Sequence, residues 1–111
     1  MSSAQARKPA DCQSLDEVRA NIDRLDRLIV ALLAERETYV RGAARFKPSA
    51  QAVVVQARVE EVVVKARAQA RELGASPESM DRIYRAIIDA MTELEIEQHH
   101  KNNGENQGTA P

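Results

Sequence analysis

The sequence predicts an all-α protein with three helices per chain, one long and two shorter, and three observations support this. Apolar or near-apolar residues recur through Val18, Ile22, Leu25, Ile29, Leu32, Tyr39 and Ala43, with one charge, Arg36, in the same series. Steps of four and three residues keep all of them on one face of a helix. Two later stretches repeat the helical spacing, and each is bounded by start and stop residues. No alternation of period two, the mark of a half-buried strand, occurs anywhere in the chain.

The first helix begins at "SLDE", where Ser14 caps and Glu17 stands three residues later, with acidic side chains in the first turn. It runs to about residue 46, where Pro48 halts it. The segment "PSAQAVV" reads as a loop. The second helix, from about residue 56 to 73, carries Val59, Val62, Val63, Ala66 and Leu73, and Gly74 ends it from the position after the cap. "ASPES" then restarts the chain, with Ser76 as cap, Pro77 in the first helical position and Glu78 at the positive end. The third helix, to about residue 98, presents Met80, Ile83, Tyr84, Ile87, Ile88, Met91 and Leu94. A helical domain over residues 11–98 follows, with polar, aperiodic tails at 1–10 and 99–111 expected to be disordered.

Composition narrows the function classes. The 111 residues suggest one domain, and a formal net charge of −1 leaves no excess to recruit nucleic acid or an anionic membrane. One Phe and two Tyr are too few for a stacking surface on single strands. A single cysteine, Cys12, forms neither an internal disulfide nor a thiolate metal cluster. The start lacks an apolar signal region and no run approaches membrane-span length, so a cytoplasmic location is expected. His99 and His100 are adjacent and point about 100° apart on a helix, without an acidic or thiol partner at ligand spacing. A solvated helix end is therefore expected there, and no metal.

Length adds a shape problem. About 30 residues of helix span roughly 45 Å, whereas a compact domain of this size is roughly 30 Å across. The two shorter helices do not cover the whole seam of the first, and an identical helix from a second chain is the cheapest cover. A homodimer is expected on this ground alone.

Charges on apolar faces point to chemistry. Arg36 occupies a seam position, where it specifies register, pairs with a buried acid, snorkels outward, or grips a ligand. Glu95 lies four residues after Met91 and seven after Ile88, on their apolar face. It is there an edge residue, a partner for Arg36, or a carboxyl whose proton affinity is raised so that it donates a hydrogen bond. Arg19 near the start of the first helix, Arg58 near the start of the second, and Lys47 just past the first helix add cations at helix ends. Positive charge at a helix N-terminus opposes the macrodipole, which suggests a bound anion. Arg19 and Arg36 are 17 residues apart, roughly 25 Å along one helix. If both serve one site, Arg19 comes from the partner of an antiparallel dimer, which gives two equivalent sites.

"VRANIDRLDRLIVALLAERETYVRGAARFK", residues 18–47, resembles the all-helical chorismate mutase family, close to its isochorismate-pyruvate lyase branch. The likeness lies in the "R-x-x-I-D-x-L-D" opening, the "L-L-A-E-R" step and the lysine that closes the helix. It extends through "RVEEV" and the break at Gly74–Pro77 to "YRAIIDAMTELE", about residues 11 to 98. The resemblance implies an intertwined homodimer of three-helix chains that needs no cofactor and takes a small dicarboxylate. By position, it implies that Arg36 and Arg58 hold substrate carboxylates and that Arg19 reaches in from the other subunit. Lys47 would then hydrogen-bond the ether oxygen whose bond to the ring breaks. Arginine suits the carboxylates because its planar fork addresses both oxygens. A Claisen rearrangement needs no nucleophile or base, only a folded substrate and stabilised charge on that oxygen.

Three positions depart from the common mutase pattern. Glu95 stands where many members have a glutamine that donates to the ether oxygen; a carboxylic acid donates and a carboxylate does not. Activity that falls as pH rises is therefore expected. Val59 and Val55 replace acidic residues that contact the ring hydroxyl, and the lyase branch has apolar residues at these two places. Together with Met91 these residues are the expected substrate lining. Chorismate mutase is the favoured activity, with isochorismate-pyruvate lyase, releasing salicylate and pyruvate, as the alternative. A non-catalytic helical dimerisation module would instead tolerate Arg36→Leu.

Overall fold

The computed structural model of the 111-residue chain describes residues 8–104. The described residues form three α-helices, α1 (Leu15–Ala43), α2 (Gln56–Glu72) and α3 (Pro77–Asn102), and short 3-10 turns at Pro9–Asp11, Ala44–Phe46 and Gln51–Val53. No strand occurs among them. The chain divides into two compact units, Met1–Arg36 and Glu37–Pro111.

In the first unit, the Glu17 backbone N–H donates to Ser14 Oγ at 3.1 Å, as the capping pattern predicts. The returning contact differs by one residue. Gln13 N–H, not Ser14 N–H, donates to Glu17 Oε1 at 3.0 Å. Asn21 Nδ2 donates to the Glu17 carbonyl at 3.0 Å. Arg19 is the fifth residue of α1, just past its first turn. No residue of α1 is buried, and its seam residues Ile22, Leu25, Ile29 and Leu32 are exposed. Their apolar spacing gives α1 a face that is complete in pattern and open to solvent.

In the second unit, α2 and α3 form a hairpin. The turn between them uses Gly74 at φ +74°. Ala75 N–H donates to the Ala70 carbonyl at 2.8 Å and Gly74 N–H to the Arg71 carbonyl at 3.2 Å. These are the two bonds of a Schellman ending, and the left-handed residue they require is the glycine. Ser76 Oγ then accepts from Ser79 N–H at 3.1 Å and Pro77 opens α3, as predicted. Val63, Ala66 and Ala70 form the buried stripe of α2. Small alanines at two of these positions allow close approach of the helices. Ala44 and Val53, from the two 3-10 turns, and Met91 of α3 complete the apolar core.

A charge network runs along the hairpin. The Arg85 guanidinium grips both oxygens of Glu60, each at 2.9 Å, and its Nε donates to Asp81 at 2.8 Å. Arg67 donates to the other Asp81 oxygen at 3.1 Å. Residues 60 and 67 of α2 thus meet 85 and 81 of α3, so the two helices run antiparallel. The Arg85 fork is the main cause that holds the Glu60 carboxyl down to about 2.

Two boundaries differ from the sequence expectation. The loop after Pro48 contains a 3-10 turn at Gln51–Val53 that buries Val53. The third helix continues past residue 98 to Asn102. His99, expected at a solvated helix end, is 5% exposed. The expected tail at 1–10 lies outside the described residues except for 8–10, and that at 99–111 from 105 onward.

Candidate active site

Lys47 is placed by the chain on both sides of it. The 3-10 turn Ala44–Phe46 follows α1, and the Lys47 backbone N–H closes it by donating to the Ala44 carbonyl at 3.2 Å. Pro48 disfavours helical backbone at the residue before it. Lys47 is accordingly extended, at φ −100° and ψ 131°. The turn packs on α3 through buried Ala44, so the lysine stem starts next to that helix.

On α3, Met91, Glu95 and His99 recur every four residues and are all buried. This is the apolar face that placed Glu95 in the sequence, continued by one turn. Lys47 Nζ donates to Glu95 Oε2 at 2.8 Å, with the Glu95 side chain 11% exposed and that of Lys47 26%. A charge-assisted hydrogen bond at low exposure is stronger than its surface counterpart. The ammonium has three donors, so two remain for another acceptor. Lys47 and Glu95, read from the sequence as catalytic together with Arg36, are thus in direct contact 48 residues apart.

The other expected residues are placed as follows. Met91 lies one turn before Glu95 on the same buried face. Val55 is the N-terminal cap residue of α2 and is exposed, whereas Val59 is half-buried. Arg58 is exposed in the first turn of α2, and its guanidinium donates to Glu61 at 2.6 Å. That bond holds the Glu61 carboxyl below its ordinary range. In the first unit, Arg19 is exposed and Arg36 half-buried.

A cleft of about 600 Å³ opens beside Lys47. Its wall includes Arg41, Arg45, Gln98, His99 and Asn102, which sequence reading did not select. Arg41 is held by Glu37 at 2.9 Å, Glu97 at 3.5 Å and Gln98 at 3.4 Å. The Arg45 guanidinium lies 4.7 Å from the centre of the Phe46 ring. One signal did exist for His99. Extending the series 88, 91, 95 by four lands on it. No group of His, Cys, Asp and Glu among the described residues is arranged to hold a metal, and no helix among them is long and apolar enough to cross a membrane.

The described residues thus form an all-helical chain in which a lysine just past the long first helix meets a carboxyl on the last. Comparison with known proteins gives its family. The profile of the type II chorismate mutases matches residues 18–96, and the chain belongs to that family. It is similar to the isochorismate pyruvate lyase of Pseudomonas aeruginosa, with 35% identity over 80 residues, 72% of this chain and 79% of the relative.

Proposed function

We propose that the protein is a chorismate mutase, rearranging chorismate to prephenate without a cofactor. The observation that carries this is the Lys47–Glu95 contact at 2.8 Å on the buried face of α3. In the rearrangement the ether C–O bond breaks while a C–C bond forms between the enolpyruvyl arm and the ring. Negative charge develops on the ether oxygen as its bond to the ring lengthens. A donor already fixed on rigid elements stabilises that charge without reorganising.

Glu95, acting in its protonated form, donates with Lys47 to the ether oxygen, since a carboxylic acid donates and a carboxylate does not. Arg36 and Arg58 hold the two carboxylates, with Arg58 exchanging Glu61 for the ligand. Arg19 enters from the partner of a homodimer whose long helices cover each other's seams.

The lyase is the second reading, favoured by two observations. The similar Pseudomonas protein is named an isochorismate pyruvate lyase, and Val55 and Val59 offer no polar partner to a ring hydroxyl. The same pair of donors would then assist ether cleavage in isochorismate, giving salicylate and pyruvate.

The deciding experiment supplies chorismate and isochorismate separately, from about pH 5 to about pH 8. Prephenate, formed more slowly as pH rises, is the expected result. Salicylate with pyruvate as the dominant products would transfer the assignment to the lyase. Silence with both substrates would leave a helical dimerisation module.

A further inference from the structure

The helix that anchors the Lys47 ammonium also anchors its main chain. His99 Nε2 lies 3.1 Å from the Lys47 backbone carbonyl. A carbonyl only accepts, so Nε2 carries a hydrogen and donates. The opposite ring nitrogen, Nδ1, lies 3.3 Å from Asn103 Nδ2, an amide donor that suits a neutral ring accepting there. His99 is 5% exposed and stands one helical turn after Glu95. Two residues of one rigid helix, four apart, therefore hold the two ends of one lysine. Glu95 takes the tip and His99 the peptide from which the stem departs.

We propose that His99 is a positioning residue for Lys47. Its Nε2–H fixes the Lys47–Pro48 peptide, and this sets where the ammonium stands relative to Glu95 and the ether oxygen. The inference deepens the proposed function and rests on Lys47 being the donor in that reaction. Pro48 contributes no N–H, and the Lys47 N–H is committed to Ala44. The His99 bond is thus the clamp that α3 places on this stretch of main chain. Without it the lysine stem starts from a freer peptide, and misplacement of about 1 Å in a catalytic group reduces rate by up to 10²-fold.

Two variants of the full chain separate positioning from packing. His99→Leu keeps an apolar filling and removes the donor; His99→Gln restores an N–H at comparable reach. For His99→Leu, kcat is expected to fall on the order of ten-fold with KM nearly unchanged, and His99→Gln is expected to recover most of it. Lysine-labelled NMR reads the ammonium directly, and the chain has four lysines, Lys8, Lys47, Lys65 and Lys101. The Lys47 signal, assigned by its loss in Lys47→Arg, is expected to move toward the exposed lysines in His99→Leu and to return in His99→Gln. Ring-nitrogen NMR of the unsubstituted protein is expected to show the Nε2–H tautomer.

An unmoved Lys47 signal and unchanged kcat in His99→Leu, or an Nδ1–H tautomer in the unsubstituted protein, would overturn the inference. Should the unsubstituted protein turn over neither chorismate nor isochorismate, the functional reading falls separately, and the Lys47 signal alone then decides the role of His99. If His99→Leu does not fold, the tautomer and the His99→Gln signal carry the decision.

Discussion

Lys47 spends one of its three donors on Glu95, and this division makes each residue's contribution measurable. Replacing Lys47 by alanine is expected to lower kcat by about 10²–10³-fold, the loss seen when one preorganised donor to a developing anion is removed. Helical circular dichroism should stay unchanged, because the lysine is only half-buried. Glu95→Gln tests protonation instead. An amide donates at every pH, so the expected outcome is a flat pH–rate profile in place of one that declines as pH rises, with activity kept near neutrality. A decline that survives in Glu95→Gln would assign the titration elsewhere. Both residues were legible in the sequence, Glu95 as a charge on an apolar face and Lys47 through the helix-end resemblance. His99 was not, because it abuts a polar, aperiodic tail and its adjacent twin His100 made both look like a frayed end. Periodicity gives the face of a residue, and only tertiary contact shows that a carbonyl waits opposite it.

At the scale of elements, the hairpin of α2 and α3 was written almost completely in local signals. Gly74, Ser76 and Pro77 each require a particular backbone geometry, and each is found in it. Gly74→Ala forces a left-handed residue to carry a Cβ and is expected to destabilise by about 1 kcal/mol in denaturant unfolding. The 3-10 turn at Gln51–Val53 was not legible, since three residues leave no period to detect. The Arg85 fork was equally invisible, because ion pairs between helices depend on their register. Its contribution has a definite sign. Glu60 is held down to about 2 in the folded chain, below the roughly 4.3 of a free glutamate. The stabilisation is therefore complete above about pH 4.3 and is lost as pH falls toward about 2. Arg85→Ala is expected to lower the thermal midpoint at neutral pH and to differ progressively less from the parent protein on acidification. High salt should narrow the gap as well, since the pair is exposed.

For the whole molecule, the sequence argued for two copies from the length and seam of α1, and the solvent-open face of α1 keeps that expectation standing. Complementation tests the shared site. Arg19→Ala and Lys47→Ala proteins, each inactive alone, are expected to regain about a quarter of the parent activity when unfolded and refolded as an equal mixture. Half the dimers are then mixed, and each mixed dimer rebuilds one intact site of two. No recovery would place Arg19 outside the partner's site. Arg36→Leu is expected to fold, and to keep the proposed dimer, while losing activity, because an apolar side chain fits the seam and grips no carboxylate.

In the proposed homodimer, the open face of α1 also makes dilution a thermodynamic variable. Seam side chains such as Ile29 and Leu32, each at least half exposed, lose their water in that association. The free energy of keeping α1 ordered is then governed by mass action, and the melting temperature should climb with total protein. Turnover per chain should likewise sag at the nanomolar enzyme levels at which rates are ordinarily recorded.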